Sequence, residues 1–425
     1  MKYKWLIAGA LFLAMLAMCG GIVGVMWFTV DQATTSGFRW NGFNINLDNV
    51  SAEADEEQRV SVSGPAALTV QTSAENAAGD ITIIGGTGDE IVVKAHKTVW
   101  GASQEDAEAG LAEIKVNVTQ NGDAVTVEVQ RPQPVNFIGV GGQRTDTVDL
   151  TITVPVDTEV TASTSFGDVS LSGTTGDADL KTSFGEVSVK DVQGGAVEAR
   201  TDFGEVTLED VAADGNVEAH SSSGKITLED VKAEGEVNLS TDFGGIEFKT
   251  GNADSLTADT SSGNVDLSGL SVTGLVTARS DFGGLTLTQV EAGSYDLDTS
   301  SGEIKVEGAT GAVKAHTDFG DIEVTAAEDA TLDLDTNSGT ITFAGSLGDG
   351  PHSLKTDFGG IKLSLPEETA LDFDLSTDFG KIKSDFPITI QGEQEQTHWQ
   401  GTINGGGESL TAETSSGDIS IEILK

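Results

Sequence analysis

Three pairs of aspartates, each separated by one residue, are the groups in this sequence best suited to hold a cation. The pairs are Asp296 with Asp298, Asp333 with Asp335, and Asp372 with Asp374. Alternate residues of a β-strand face the same side, so each pair would present two carboxylates to one surface, and calcium prefers clustered oxygen ligands. The chain has neither a twelve-residue calcium loop nor glycine–aspartate nonapeptides. A solvated acidic face therefore fits the pattern best, and the six aspartates are weak calcium candidates.

Catalysis would need a group whose surroundings differ from those of its neighbours. The two carboxylates of a glycosidase, for example, must have different pKa values. Here the aspartates before Phe-Gly recur in equivalent positions, and the histidines show no metal-ligand spacing. The phrase Asp-Phe-Gly occurs six times without the glycine-rich and catalytic loops of a kinase. The sequence therefore predicts a protein that is not an enzyme and needs no cofactor beyond weakly bound divalent cations.

These residues belong to a phrase that repeats through most of the chain: Ser or Thr, a variable residue, Phe or Ser, then Gly. It occurs thirteen times between Thr164 and Gly417, and from Gly167 to Gly380 its spacing is about 19 residues. The second residue after each glycine is always aliphatic, and the fourth is apolar in every repeat except at Ser384. This alternation predicts one strand before the glycine and another after it, with the glycine at the bend.

A coil of this length cannot bury its own apolar residues, but stacked coils about 4.8 Å apart would align them into one core. We therefore predict an all-β protein, a parallel β-helix solenoid with coils of about 19 residues. Right-handed connections are expected between parallel strands. An up-and-down barrel and a propeller with four strands per two repeats are the alternatives.

The residue before the glycine alternates between Phe and Ser from Phe203 to Phe358. We expect the phenylalanine rings to pack in the core, with small serines above and below to make room for them. The preceding residue alternates too, with Asp in the Phe coils and Ser or Asn in the others. Because carboxylates about 4.8 Å apart repel by roughly 0.9 kcal/mol even in water, this alternation relieves repulsion between coils.

The N-terminus indicates a membrane attachment. Residues 5–30 carry no charge and are long enough to cross a bilayer as a helix, and Lys2 and Lys4 should stay in the cytoplasm. The alternative is a bacterial lipoprotein signal with Cys19 as the lipidated residue, although Met18 is larger than the residue expected there. Cys19 is the only cysteine, so no intramolecular disulfide can form.

The composition divides the chain into five segments. Residues 1–30 form the cytoplasmic stub and transmembrane anchor, 31–58 a linker, 59–160 a β-rich flank or cap with one short helix, 161–384 the coils, and 385–425 an irregular C-terminal end. Ser103 is the predicted cap of the helix, and Asn121-Gly122 predicts a hairpin. The break after residue 384 is interpreted as an irregular double coil or as a loop that folds back, and the 37-residue interval from Gly380 to Gly417 favours the double coil.

The formal net charge of −45, from 68 acidic and 23 basic residues, is spread along the chain. Nucleic-acid binding needs a basic surface and is therefore not expected. An acidic surface keeps the protein soluble and repels other anionic surfaces. The charge is consistent with either cation binding or a salty habitat.

The order of these features resembles the bacterial putative-adhesin family, a domain of unknown function built from β-strand repeats. The likeness rests on Gly79-Asp80-Ile81-Thr82-Ile83, an acidic helix, a strand ending in Val-Pro-Val at 154–156 and the tandem coils, and it covers residues 68–425. The resemblance implies a location at the cell surface, adhesion, and no catalytic residues. The expected partners are the membrane and a surface, polysaccharide or envelope-protein ligand. Signalling under envelope stress and a self-assembling scaffold are alternatives, and the chain is expected to be a monomer or an end-to-end oligomer.

Overall fold

The structure, a computed structural model, describes residues 39–40, 43–44, 50–72, 78–101, 103–130, 146–391 and 395–424. They belong to two compact units, and the larger spans Ala54–Lys97, Ile114–Pro134 and Thr147–Lys425. Among these residues no helix has the length and apolar character needed to cross a bilayer. The predicted membrane segment at residues 5–30 and most of the predicted linker lie outside the described residues.

The elements before the repeat are mostly strands. In chain order they are β1 (Arg39–Trp40), β2 (Phe43–Asn44), β3 (Val50–Ser61), β4 (Ala67–Thr72), β5 (Ile81–Gly86), β6 (Glu90–Gly101), helix α1 (Gln104–Glu113), β7 (Lys115–Asn121), β8 (Ala124–Gln130) and β9 (Thr147–Pro155). The predicted cap is confirmed, because the hydroxyl oxygen of Ser103 accepts a hydrogen bond from the Asp106 amide at 3.2 Å. The predicted hairpin at Asn121-Gly122 joins β7 to β8.

The repeat region forms the predicted solenoid of parallel strands. Its strands are β10 (Glu159–Phe166), β11 (Val169–Ser172), β12 (Ala178–Phe184), β13 (Val187–Lys190), β14 (Val197–Phe203), β15 (Val206–Ala213), β16 (Val217–Ser221), β17 (Ile226–Ala233), β18 (Glu236–Thr241), β19 (Ile246–Ala253), β20 (Ser255–Thr260), β21 (Val265–Ser280), β22 (Leu285–Thr299), β23 (Ile304–Glu307), β24 (Thr310–Thr317), β25 (Ile322–Thr336), β26 (Ile341–Leu347), β27 (His352–Thr356) and β28 (Ile361–Leu365). Equivalent residues of successive coils pair in register, as Val206 does with Ile226 and Ile226 with Ile246. The aliphatic residues two after each glycine are therefore stacked in the core, where nearly all are fully buried.

Most coils turn a second time, six residues after the repeat glycine. Asp191, Asp210, Asp230, Thr250 and Gln289 have φ values from 52° to 55° at this position, and Gly269 and Gly308 hold the equivalent place. The predicted strand after the glycine is therefore bent, and a third short extended run follows it. The sequence gives little sign of this bend, because residues of several types adopt the same left-handed conformation there.

The buried Ser or Thr of every repeat after the first links two coils through its hydroxyl group. The Thr260 hydroxyl donates to the Gly244 carbonyl of the neighbouring coil at 2.8 Å and accepts from the Gly263 amide of its own coil at 3.1 Å. The donated bond, at 2.8–3.0 Å, recurs from Thr182, Thr201, Ser221, Thr241, Ser280, Thr299, Thr317, Thr336, Thr356, Thr377 and Thr414. We call this column of bonds the hydroxyl relay.

The repeat glycine is required by the close approach of two coils. At Gly224, a Cβ atom would overlap the carbonyl oxygen of Gly204 directly across the stack, and the same overlap would occur along the whole column. That carbonyl is the acceptor of the hydroxyl relay. The glycine predicted at the bend is therefore the residue type that this close approach requires.

The N-terminal end of the solenoid is interleaved. β4 pairs in parallel with β10 on one side and with β8 on the other, and β5 lies in the same way between β11 and β9. The chain thus forms an inner coil with β4 and β5, leaves it to build the outer strands, and returns at β10. The flank predicted at residues 59–160 therefore contributes a coil of its own, and the antiparallel strand β7 lies beside β8.

The C-terminal end is interleaved in a similar way, because a late coil inserts between two earlier ones. Its strands are β29 (Leu371–Thr377), β30 (Ile382–Ser384), β31 (Ile388–Ile390), β32 (His398–Ile403), β33 (Glu408–Thr414) and β34 (Ile419–Ile423). β33 inserts between β27 and β29, and β34 between β28 and β30, all in parallel. β32 pairs antiparallel with both β29 and β31.

The favoured prediction of an irregular double coil after residue 384 is therefore wrong. The chain folds back as an antiparallel pair, and its last coil fills a gap between two earlier ones. A parallel solenoid that simply stopped would expose a row of unpaired backbone groups. β32 covers that edge at β29, and β31 pairs with β32.

The coil inserted at the C-terminal end encloses a histidine. His352 is only 1% exposed, and it pairs in register with Leu410 of β33. Its Nδ1 atom accepts a hydrogen bond from the Leu332 amide at 3.3 Å. Burial lowers the pKa of His352, and a backbone hydrogen bond at Gly348 and the charge of Glu408 only partly oppose this. The folded protein therefore favours the neutral imidazole.

The hydroxyl relay should be measurable at a single coil. A Thr260→Val variant keeps the side-chain shape but leaves the Gly244 carbonyl and the Gly263 amide without their hydroxyl partner. We expect the free energy of unfolding to fall by about 1–3 kcal/mol in denaturant titrations. Thr260→Ser, which copies Ser221 and Ser280, keeps the hydroxyl group and loses only a buried methyl group, so its cost should be smaller, about 0.8 kcal/mol or less. Equal stability of the two variants would contradict the relay.

Acid should destabilise the fold through His352. Its folded pKa lies below the unfolded value, so the unfolded chain binds the proton more readily and stability rises with pH. The contribution is complete well above pH 6.5 and is lost as the pH falls through the two pKa values. We expect the melting temperature of the parent to fall more between pH 7 and pH 5 than that of a His352→Leu variant. Parallel curves would exclude His352 as the source.

Candidate functional site: an exposed phenylalanine ladder

The phenylalanines of the repeat phrase lie on the surface, so the prediction that they pack in the core is wrong. Phe243, Phe282, Phe319 and Phe358 are 69–71% exposed, and Phe379 is 85% exposed. Phe166, Phe184 and Phe203 are 36–54% exposed. We call these eight side chains the phenylalanine ladder. Large apolar side chains repeated at one position on a surface need an explanation.

The local backbone explains why the rings point outward. In most coils the strand ends at the hydroxyl residue, as β16 does at Ser221 and β18 at Thr241. The two residues that follow lie in a bend before the glycine. The alternation of inward and outward side chains therefore stops at the hydroxyl, and the residue before the glycine emerges at a corner of the coil.

The phenylalanine ladder has two parts with different packing. Phe166, Phe184 and Phe203 lie in successive coils and stack face to face, with ring centroids 5.0 and 4.9 Å apart and planes within 7°. Beyond Phe203 every second coil has an exposed serine at this position. The serines are Ser223, Ser262, Ser301, Ser338 and Ser416. We call the space over each of these serines, between two rings, a slot.

The interleaved C-terminus extends the alternation in space. In the sequence, the Phe coil of Gly359 is followed by another Phe coil, that of Gly380. In the structure, Gly417 lies between these two glycines. The order along the stack is therefore Phe358, Ser416, Phe379, and the two-coil period continues to the last coil.

Each of the alternating rings has an aspartate beside it. These are Asp202, Asp242, Asp281, Asp318, Asp357 and Asp378, while the slot coils carry Ser or Asn at the same position. The Asn337 side-chain amide donates to the Asp318 carboxylate of the neighbouring coil at 2.7 Å. The ladder is therefore a strip of aromatic rings with carboxylates along one side, and the carboxylates are two coils apart.

The predicted calcium candidates lie on the outer face of the strands before the glycine. Asp296 accepts from Arg279 at 3.1 Å and lies 3.5 Å from Lys314. Asp335 is 3.1 Å from His316, and the coil that carries Lys314 and His316 lies between the coils of the two aspartate pairs. Asp296 and Asp335 therefore face basic side chains from the adjacent coils. Among the described residues no group of three or more His, Cys, Asp or Glu could hold a metal ion.

The third pair differs from the first two. Asp374 is 2.8 Å from the His398 ring nitrogen, and Asp372 lies two residues before it on β29. Calcium binding at the six aspartates stays a prediction. Cys19, the candidate for lipidation, lies outside the described residues.

One carboxylate that the sequence did not single out has a raised pKa. Burial raises the pKa of Asp259, and the nearby Arg279 only partly offsets the effect. Within the described part of the chain its Oδ1 atom is buried and has no hydrogen-bond partner. It lies in a groove with Arg200, Glu218 and His220, where Glu218 is bonded to Arg200 at 3.0 Å. Burial is what distinguishes Asp259 from the other aspartates, and burial cannot be read from the composition or the spacing of the sequence.

No curated protein matches this chain. Two solved structures are similar to it at low identity. The first is a putative cell adhesion protein from Clostridium sporogenes, 10% identical, covering 88% of this chain and 100% of that one, with a TM-score of 0.18. The second is a putative adhesin from Bacteroides fragilis, 12% identical, covering 87% of this chain and 97% of that one, with a TM-score of 0.26.

The family comparison covers much more of the chain than any single motif. The Toastrack DUF4097 family matches residues 73–267 and, in a second overlapping match, residues 247–422. Both matches fall on the stacked coils and their interleaved ends. The chain therefore belongs to the Toastrack DUF4097 family, a β-repeat family of unknown function.

Proposed function

We propose that this protein is a non-catalytic adhesion or envelope-interaction protein that binds its partner along the phenylalanine ladder. The observation that carries the proposal is the exposure of the ladder rings at every second coil from Phe203 to Phe379. The fold does not use these side chains in its core, where the aliphatic columns and the hydroxyl relay provide the packing. Their regular placement is explained by contact with a partner.

Exposed aromatic side chains suit this role for a physical reason. Each ring has a large apolar area and few rotatable bonds, so it loses little conformational entropy when a partner covers it. Residues of this kind carry most of the binding energy in many interfaces. Ion pairs on the outer strand faces, by contrast, are solvated and contribute little to binding.

The repeated geometry favours multivalent binding. Coils about 4.8 Å apart give alternating rings a spacing of roughly 9.6 Å, so one partner can contact several rings at once. Individually weak contacts then add up, because each later contact forms at a high effective concentration. A repetitive polymer or a densely covered surface is the partner that this arrangement fits best.

The proposed location is outside the cytoplasm, with the uncharged segment at residues 5–30 as the anchor. The antiparallel strands at the two ends of the solenoid weigh against end-to-end assembly as a scaffold, because β7 pairs with the outer parallel strand β8 and β32 with the outer parallel strand β29. The proposal includes no catalytic residues and no nucleic-acid partner.

Calcium is proposed only as a weak, diffuse counterion of the acidic faces. Because Asp296, Asp335 and Asp374 already have basic partners, we expect millimolar calcium to raise the melting temperature by only a few degrees relative to sodium at the same ionic strength. Thermal unfolding with each salt measures this. A change no larger than that with sodium would remove calcium from the proposal.

The adhesion proposal predicts that binding depends on the ladder. The full-length protein should bind saturably to at least one of three targets: intact cells, cell-wall polysaccharide or extracellular matrix protein. A Phe243→Ala/Phe282→Ala/Phe319→Ala variant should bind at least tenfold more weakly, while its melting temperature stays near the parent value because these rings are 69–71% exposed. Binding affinity measured on immobilised targets provides the test.

A matched control removes surface groups of the same chain away from the ladder. Asp210→Asn/Asp230→Asn alters two bends, where asparagine also tolerates the left-handed conformation, and should bind like the parent. Absence of binding to all three targets, or equal binding by the ladder variant, would overturn the proposal.

A further inference from the structure

We infer that the slots of the phenylalanine ladder bind arginine side chains from an extended basic segment of a partner protein. This inference rests on the proposed function and adds the chemistry of the ligand. Five slots lie between the alternating rings, over Ser223, Ser262, Ser301, Ser338 and Ser416. Each slot is open to solvent and has an aromatic ring on either side.

The dimensions of a slot fit one planar group. The stacked rings of Phe166, Phe184 and Phe203 show that flat groups fit at this corner with 5.0 and 4.9 Å between successive centroids. A slot coil has serine where a third ring would be. With coils about 4.8 Å apart, two flanking rings oriented as in this stack would be roughly 9.6 Å apart, which leaves room for one flat group between them. A guanidinium there would lie within about 6 Å of both ring centres, inside the range of cation–π attraction.

The charges beside the slot favour a cation over a neutral ring. The slot over Ser262 lies between Phe243 and Phe282, whose neighbours Asp242 and Asp281 are both exposed. A bound guanidinium would therefore have two aromatic faces and nearby carboxylates. The net charge of −45 adds a long-range attraction for a basic partner. The phenylalanine ladder of a second copy of this chain would offer flat rings at the same spacing. Repulsion between two chains of this negative charge opposes that pairing.

Arginine fits this environment better than lysine. Its guanidinium is planar, stacks on aromatic faces and holds its hydrogen-bond donors in a fixed fork, whereas the lysine ammonium is a compact and strongly hydrated charge. An anionic polysaccharide would meet the same carboxylates with unfavourable charge. A basic polypeptide is therefore the ligand class that the slots select.

The distance between slots also indicates the conformation of the ligand. Successive slots are two coils apart, or roughly 9.6 Å. A polyproline II helix has three residues per turn and a rise of about 3.1 Å per residue, so every third side chain faces the same side at intervals of about 9.3 Å. In a β-strand the same-face interval is only about 6.8 Å. The ladder thus matches a polyproline II segment with arginine at every third position.

The test uses synthetic peptides and the full-length protein. The probe is a Pro-Pro-Arg repeat of about 18 residues, long enough in polyproline II form to span the slots. Comparison peptides with the same number of charged groups repeat Pro-Arg, Pro-Pro-Lys or Pro-Pro-Glu. We expect the Pro-Pro-Arg peptide to bind at least tenfold more tightly than each of the others in calorimetry at low salt. Its affinity should fall as salt is added.

Three variants then separate the parts of the slot. Asp242→Asn/Asp281→Asn should weaken peptide binding several-fold, and the Asp210→Asn/Asp230→Asn control should weaken it less. Ser262→Phe/Ser301→Phe fills two slots with rings, as successive coils already do at Phe166, Phe184 and Phe203. This variant gains apolar surface but loses slots, and we expect about tenfold weaker peptide binding.

The outcomes distinguish the inference from the proposed function. If filling the slots leaves peptide binding unchanged or strengthens it, or if the four peptides bind alike, arginine recognition is overturned. Adhesion to cells or matrix that still depends on Phe243, Phe282 and Phe319 would then leave the proposed function intact. Loss of that dependence would remove the proposed function itself.

Discussion

The hydrogen bond from a buried hydroxyl to the glycine carbonyl of the adjacent coil is the constraint on which the rest of this structure depends. It brings two backbones so close that a Cβ atom at the glycine would overlap the neighbouring carbonyl, so the glycine and the Ser or Thr three residues earlier are required together. It also keeps coils in register, because a shift of one residue would exchange the inward and outward side chains. The same bend brings the residue before the glycine to the surface. The outward position of the phenylalanine ladder is thus a consequence of the bond that stabilises the stack.

The sequence predicts the parts of the fold that repeat with every coil. The aliphatic residue at Ile226 and its equivalents, the hydroxyl at Ser221 and the glycine at Gly224 give the period, the strands and the parallel stacking. The orientation of Phe243 could not be read in the same way, because the period-two alternation that places the core residues ends at Thr241, before the bend. The second bend at Asp210 was missed because its equivalents include Thr, Gln and Gly.

The ends of the solenoid could not be predicted because their pairing is not sequential. Stacking in chain order would place Gly380 directly on Gly359, whereas Gly417 lies between them. One signal was nevertheless present. Phe358 and Phe379 occur in consecutive repeats and break the Phe–Ser alternation, and the break disappears when Ser416 is placed between them. A break in a repeat pattern can therefore indicate that a distant part of the chain inserts between two consecutive coils.

Two periods coexist in this chain, and only one of them is needed for folding. The core columns, the hydroxyl relay and the glycines repeat with each coil of about 19 residues, whereas the phenylalanine ladder and its aspartates repeat with every second coil. Packing cannot require the longer period, since the rings are exposed and three consecutive coils accept Phe166, Phe184 and Phe203 in direct contact. Charge relief explains spacing of the aspartates but not of the rings. The spacing of the rings is best explained by a ligand that occupies the slots between them.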